Sequence, residues 1–398
     1  MSTVQQSPPS WHGEDVTIAD VLDALSQIRS QLARAEVGDG EHLHPRNCVM
    51  TLISVAPTER HEEVAKRTTQ TIAMEHPAQA IVIREQPPVA NRRLDAWITR
   101  EDRRPICGFE CELITLHVFG QAADHLAPLV DPLLVSGVPT YLWWLGTPPF
   151  GKPDIVDALR ICDGLVVDSA QFAEPYRSFQ RLSGMLKVAH HRMGLADFQW
   201  SRLRPWRETI AQFFAPVERR PFLNGISELG VDYAGEGRGN RIGAALLTGW
   251  FASALGWKLR RATAGAGGVV VAMYDAGGRS VEVDFRSVAQ TGRAEGEVNA
   301  IRIAGSAHGT TFRLTVMHDP PRRQTPASAA QDWERRRGNT GRVLLTLIEI
   351  GEHEPLRHVQ QLEAEDDAAL LLDLLSTGTH DEVFNRSLAA AAELTGKF

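Results

Sequence analysis

Along residues 17–32, Val21, Leu22, Leu25, Ile28 and Leu32 recur at helical spacing with polar positions between them, and Thr17 and Asp20 stand in a capping-box arrangement. The pattern predicts an amphipathic helix and, over 36–46, a polar linker. An apolar run at 47–55, a charged stretch without Gly or Pro at 59–75 and a second apolar run at 79–84 read as strand, helix, strand. A helical crossover implies parallel pairing. The alternation continues with strands at 110–119, 138–145 and 164–168 and helices at 122–135 and 155–161. Residues 47–194 are therefore expected to form an α/β domain, a mostly parallel sheet with helices on both faces, preceded by an N-terminal helix and linker over 1–46.

The pattern then changes. Residues 197–214 are helical in character, restarted at Pro205, which suits a first helical turn better than an interior. A strand at 222–233, a glycine-rich loop at 235–239 and an apolar helix at 240–255 follow. Short β runs separated by turn glycines come next, at 258–262, 269–274, 281–285, 300–304 and 311–317. Residues 324–337 read as a loop or short helix and 343–350 as a strand. This predicts an α+β domain over 195–350 with an antiparallel sheet and its helices on one face. The region 351–398 supplies acidic C-terminal helices around 364–375 and 381–394.

Composition narrows the function more than the fold. The chain has 398 residues, enough for two domains, and its charged and apolar fractions, 23 % and 43 %, are those of a globular protein. The formal charge of −7 resides in residues 351–398, where ten Asp and Glu face Arg357, Arg386 and Lys397. The remainder balances to zero, which argues against nucleic acid as the main partner, since phosphate neutralisation needs a concentrated basic face. The longest uncharged apolar run, 242–257, is shorter than the ~20 residues a bilayer needs and contains three glycines. Residues 1–15 lack the pattern of a secretory signal, and the four cysteines make neither a disulfide framework nor a CxxC pair. A cytoplasmic protein without a membrane partner is expected.

Candidate chemistry is sparse. Gly235, Gly237 and Gly239 follow a predicted strand and open a helix, as a dinucleotide-binding turn does, but Asn240 replaces the third glycine of GxGxxG. Arg260 and Arg261 would suit a 2′-phosphate there, yet the β runs that follow read as antiparallel, which favours a simple turn. His42, His44 and Cys48, like His190 and His191, lack a second pair of metal ligands. Cys107 and Cys111 form a candidate redox pair, although inert thiols suit a reducing compartment better. Asp163 and Asp168 flank a strand, where capping is the usual role. No Walker A, HExxH or GxSxG sequence occurs. What stands out is aromatic. Tyr141, Trp143 and Trp144 share one strand, and Trp200, Leu203, Trp206, Ile210 and Phe214 make a helical stripe that reads as core. Arg202, Arg204 and Arg207 point elsewhere. Trp and Arg are the types enriched at interfaces, so Arg202, Arg204, Arg207, Trp143 and Trp144 are the candidate partner contacts.

These residues carry a resemblance. The stretch Asp197-Phe198-Gln199-Trp200-Ser201-Arg202-Leu203-Arg204-Pro205-Trp206-Arg207-Glu208, continuing to Ala211-Gln212-Phe213-Phe214, resembles the central signature of the glucose-6-phosphate dehydrogenase assembly proteins, the OpcA family. Met50-Thr51-Leu52-Ile53, Glu75-His76-Pro77 before Ala80-Ile81-Val82-Ile83, Pro139-Thr140-Tyr141-Leu142-Trp143-Trp144, and the apolar stretch from Leu247 to Trp257 resemble further family features in the same order. The likeness covers 47–317. It implies a non-catalytic protein without a cofactor, which binds a glucose-6-phosphate dehydrogenase oligomer and promotes its active assembly in the oxidative pentose phosphate pathway. The alternative drawn from the residues is an NADP- or sugar-phosphate-binding enzyme using the loop at 235–239.

Overall fold

A computed structural model of the chain describes residues 10–38, 48–73, 75–87, 93–101, 111–120, 126–151, 153–188, 193–235, 239–289, 293–318, 342–362 and 366–397. The chain forms two units that interleave in sequence. The first comprises residues 1–173, 186–197 and 367–380, and the second 174–185, 198–366 and 381–398.

The first unit is built on an eight-stranded sheet. Its parallel strands are β2 (Met50–Ala56), β3 (Ala78–Gln86), β5 (Cys111–Phe119), β6 (Thr140–Trp144), β7 (Gly164–Val167) and β8 (Gly194–Asp197). Two antiparallel strands, β1 (Trp11–Gly13) and β4 (Arg93–Glu101), extend one edge, giving the order β1-β4-β5-β3-β2-β6-β7-β8. Helices α1 (Ile18–Gly38), α2 (Glu59–Ile72), α3 (Leu126–Val130) and α4 (Pro153–Arg160) connect them, and α5 (Pro175–Val188) precedes β8. All seven residues of β2 are buried, so both of its faces are covered. β4 was not expected from the sequence. Its apolar residues Leu94, Ala96 and Ile98 alternate with Arg93, Asp95, Trp97 and Thr99, and a half-covered edge strand needs no more. Of the predicted helix at 122–135, α3 and a 3₁₀ turn, Asp131–Leu133, cover 126–133, and residues 122–125 lie outside the described residues.

The second unit begins with the short helices α6 (Phe198–Arg202), α7 (Arg204–Phe214) and α8 (Arg220–Gly225). Its sheet comprises β9 (Ile226–Ala234), β10 (Lys258–Ala264), β11 (Val270–Asp275), β12 (Ser280–Val288), β13 (Val298–Ala307), β14 (Thr310–His318), β15 (Arg342–Ile350) and β16 (Leu356–Leu362), in the order β10-β11-β12-β9-β13-β14-β15-β16. The sheet is antiparallel, as expected, except that β9 and β12 run parallel. Residues 222–225, read as strand, belong to α8. Residues 356–362, within the stretch read as acidic helices, form the edge strand β16, and the segment 324–337 lies outside the described residues. Leu229, Val231 and Tyr233 share one sheet face with Ile301, Ile303, Leu314, Val316 and Phe285 by register. Aromatic contacts seat the helices on that face: Trp206 meets His318 edge-on at 5.0 Å, Phe213 and Phe222 meet Phe312 at 5.9 and 4.7 Å, and Trp257 meets Tyr274 at 6.1 Å.

Helix α9 (Ile242–Leu255) is apolar all round and buried over most of its length, as a helix wrapped by other elements must be. The last helix, α11 (Glu382–Thr395), packs along it. A Cβ at Gly249 would lie 2.3 Å from the Ser387 carbonyl oxygen, so only glycine permits this approach. The first unit has a comparable contact. After α10 (Asp367–Thr377), which packs on α2, the chain returns across the sheet, and a Cβ at Gly194 would lie 1.9 Å from Oγ1 of Thr379.

Helix α2 is fixed to its sheet by charge. The buried Glu62 carboxylate accepts from Lys66 Nζ, from Arg84 Nη1 at 3.1 Å and from His117 Nε2 at 3.1 Å, while the His117 ring lies 4.5 Å from Trp97. Burial alone would raise the Glu62 pKa, but the hydrogen bonds and charges of His117 and Lys66 prevail and bring it from 4.5 down to about 2. A depressed carboxylate contributes stability that is complete above the unfolded pKa and is lost as pH falls through the folded one. Thermal melts of the wild type between these two values should lose on the order of 3 kcal/mol to this group as the pH is lowered. Glu62→Gln should be less stable at neutral pH and show a flatter pH dependence in the same window.

Candidate functional site

The arginine-rich helices contain a polar cluster that joins them to the last helix of the second unit. Leu203 separates α6 from α7, and Pro205 occupies the first turn of α7, where its missing N–H costs nothing. Trp200, Leu203, Trp206, Ile210, Phe213 and Phe214 are buried, as the stripe predicts. Between α6 and α7, the Arg207 guanidinium carbon sits 3.4 Å from the Trp200 ring centroid, and its Nη2 donates to the Trp200 carbonyl at 3.2 Å. Trp200 Nε1 donates to Asp381 Oδ2 at 2.9 Å. The other Asp381 oxygen accepts the Phe384 N–H at 2.9 Å and caps α11. Burial lowers the Arg207 pKa to about 10 against the pull of Asp381, so the group is still cationic at neutral pH.

The predicted partner contacts fall into two groups. Arg207 packs on Trp200 at the entry of α11. Arg202 and Arg204 are, like Arg207, half-buried and engaged within the chain, the Arg202 guanidinium lying 5.9 Å from the Phe198 ring. Trp143 and Trp144 are only 2 % and 3 % exposed, because every residue of β6 but Tyr141 is buried. As placed here they are core side chains, which corrects their reading as contacts.

The glycine loop joins β9 to α9. Gly235 O accepts from Ser287 Oγ at 2.5 Å, Gly239 O accepts from Tyr176 Oη at 3.0 Å, and Asn240 Oδ1 accepts the Ile242 N–H at 2.9 Å. Gly237 lies outside the described residues. The strand after α9 is β10, at the sheet edge and antiparallel to β11, so the loop does not open a βαβ unit. Arg260 pairs with Asp275.

A nucleotide-binding topology does exist, elsewhere. Taken in chain order, the parallel strands of the first unit lie as 3-2-1-4-5-6, the doubly wound order whose switch point, here between β2 and β6, holds a dinucleotide in proteins with the glycine turn. The sequence search missed it because it followed glycines. Between β2 and α2 stand only Pro57 and Thr58, with no glycine. Thr58 caps α2, its hydroxyl accepting the His61 N–H at 3.3 Å, and Glu59 and Glu62 occupy the first turn. These carboxylates place negative charge at the helix end that would otherwise receive phosphate. Glu85, near the end of β3, is in position for a ribose ligand but stands without the turn. The His61 ring lies against Gly146 beyond β6, and burial, then Arg60, lowers its pKa.

The remaining candidates are structural or undescribed. Asp163 accepts the Thr140 N–H at 2.7 Å, and Asp168 caps a 3₁₀ turn through the Ala170 N–H at 3.2 Å. Buried Asp197 accepts from Ser169 N and Oγ at 2.9 and 2.6 Å. Cys107 lies outside the described residues, as do His42, His44, His190 and His191; the backbone of Cys111 opens β5. Among the described residues no group of three His, Cys, Asp or Glu side chains could hold a metal ion, and no helix is long and apolar enough to cross a membrane.

Residues 69–184 match the family described as "Glucose-6-phosphate dehydrogenase subunit N-terminal domain", and residues 193–388 match its C-terminal counterpart. The OxPP cycle protein OpcA of Nostoc punctiforme is 28 % identical over 241 residues, 59 % of this chain and 48 % of that protein. Its namesake in Synechococcus elongatus is 32 % identical over 148 residues, 37 % of this chain and 32 % of that one. The matches thus span about half or less of the relatives' length. Solved structures give weaker likenesses: the dehydrogenase MviM of Clostridium difficile at 9 % identity and a TM-score of 0.40, covering 87 % of this chain and 97 % of that one. The oxidoreductase yvaA of Bacillus subtilis gives 10 % and 0.44, covering 88 % and 96 %. At that level the likeness carries no chemistry over.

The cluster around Asp381 lies within the second matched stretch and has a measurable cost. Asp381→Ala removes the cap of α11, leaves Trp200 Nε1 without its acceptor and takes the larger anionic contribution from the half-buried Arg207, a loss of about 3 kcal/mol. Asp381→Asn keeps an acceptor and should lose less than half of that. Urea unfolding followed by tryptophan fluorescence distinguishes the two.

Proposed function

The chain belongs to the OpcA family of glucose-6-phosphate dehydrogenase-associated proteins, and from this we propose that it is a non-catalytic accessory protein that binds that dehydrogenase and favours its active oligomeric assembly. The family match over both units carries the reading. The first unit supports its non-catalytic part: its sheet has the strand order of a dinucleotide-binding fold, while the turn after β2 lacks glycine and leads into a first helical turn that carries Glu59 and Glu62. The glycine loop of the second unit, which would serve an NADP- or sugar-phosphate-dependent enzyme, has its described carbonyls bonded within the unit.

Activation without chemistry must come from differential affinity. A protein that binds the active assembly more tightly than the inactive one shifts the equilibrium toward it, and moving it from one extreme to the other takes about 10⁴-fold discrimination. Arg202 and Arg204 are the cations this reading offers to the dehydrogenase. Such a partner belongs to the oxidative branch of pentose phosphate metabolism and is met in the cytoplasm.

The test mixes this protein with glucose-6-phosphate dehydrogenase from the same organism and follows NADPH formation and complex mass together. Both should rise, and if neither changes the proposal fails. Paired Arg202→Glu and Arg204→Glu substitutions should weaken the complex about tenfold, which corresponds to ~1.4 kcal/mol. Titration of the isolated protein with NADP should give no saturable signal; saturation would favour the enzyme reading.

A further inference from the structure

The two edges of the second sheet are built differently. At one edge, β10 carries a register shift between Leu259 and Arg261 and exposes Lys258, Arg260 and Arg261. Bulges and cations are how sheets prevent further strands from adding to an edge. At the other edge, β16 pairs with β15 without a shift from Arg342↔Leu362 to Ile348↔Leu356. It has no internal proline, its one cation is Arg357, and it exposes Leu356 at 55 % and Val359 at 58 %. Thr209 Oγ1 of α7 donates to Gln360 Oε1 at 3.0 Å, so the strand is also held from the helix side. Among the described residues no strand lies beyond it.

The sequence of β16, Leu356-Arg357-His358-Val359-Gln360-Gln361-Leu362, is close to a palindrome in residue class about Val359. We propose that β16 is a homodimer edge: two copies of this chain pair β16 to β16 antiparallel about a two-fold axis at Val359, joining their sheets into one. In that register Leu356 meets Leu362 of the second copy, Arg357 meets Gln361, His358 meets Gln360, and Val359 meets itself. Apolar residues face apolar residues and no like charges oppose. Moving the axis to His358 sets two histidines against each other and pairs Leu356 with Gln360. An axis at Arg357 opposes two guanidinium groups. The register centred on Val359 is therefore the one that the side chains select, and an isologous contact of this kind closes at two copies. The edge row of backbone donors and acceptors supplies the hydrogen bonds, as in strand addition generally.

This inference does not depend on the dehydrogenase reading and is tested on the full chain alone. Sedimentation across the micromolar range should give twice the chain mass of 43.9 kDa for the wild type. Val359→Lys, which sets two ammonium groups face to face, should raise the dissociation constant at least about tenfold. Val359→Cys should form a disulfide-linked dimer under mild oxidation. Leu356→Cys should not, because six residues of antiparallel strand hold the two copies of that position roughly 20 Å apart. A wild type of single-chain mass at every concentration, a dimer indifferent to Val359→Lys, or equal cross-linking of the two cysteine variants would each overturn the proposal.

Discussion

The second unit depends on a single carboxylate. Asp381 caps α11 through the Phe384 N–H, holds the Trp200 indole and offsets the charge of Arg207, whose guanidinium is pressed against that indole. A cation at this degree of burial is costly unless aromatic and anionic partners replace water, and here Asp381 supplies the larger anionic contribution, with Glu208 beside it. The consequence reaches beyond the cluster. Asp381 sets where α11 begins, α11 lies along α9, and Gly249 allows that approach at the Ser387 carbonyl. The family signature is thus foremost a packing device: it fixes the helix layer that covers one sheet face.

The first unit joins a dinucleotide-type strand order to a different first turn. Its strand order provides a crevice at the β2–β6 switch point, but binding there requires the chain to turn closely around a pyrophosphate, and the Pro57-Thr58-Glu59 exit of β2 does something else with the same place. Thr58 satisfies the helix end, Glu59 and Glu62 meet its dipole, and Glu62 is drawn into the pairs that fasten α2 to β3 and β5. A helix terminus that elsewhere receives a phosphate is used here to hold the scaffold together.

Much of this was legible in the sequence. The apolar runs of β2, β3 and β7 and the all-apolar α9 were plain because full burial leaves a continuous signal. The half-covered elements were harder. In β4 the apolar core positions are separated by Arg93, Asp95, Trp97 and Thr99, and in β16 apolar residues come only at every third position, so each resembles linker or helix to a reading that looks for apolar runs. The aromatic stripe of α6 and α7 was correctly assigned to the core. That Arg207 belongs with it was not readable, because its anionic partner, Asp381, stands far along the chain. The switch point was missed for a related reason: strand order is a property of pairing, and no local motif marks it.

The interleaving of the units has a consequence for biosynthesis. The first sheet is nearly complete in sequence by Asp197, yet α10 and Thr379, which pack on α2 and against Gly164 and Gly194, arrive only after the whole second sheet has been translated. On a ribosome the early unit must wait, with part of its surface uncovered, until residues 367–380 emerge. Its maturation is therefore tied to completion of the later unit, and a nascent chain stalled in between would present that bare patch to chaperones and proteases.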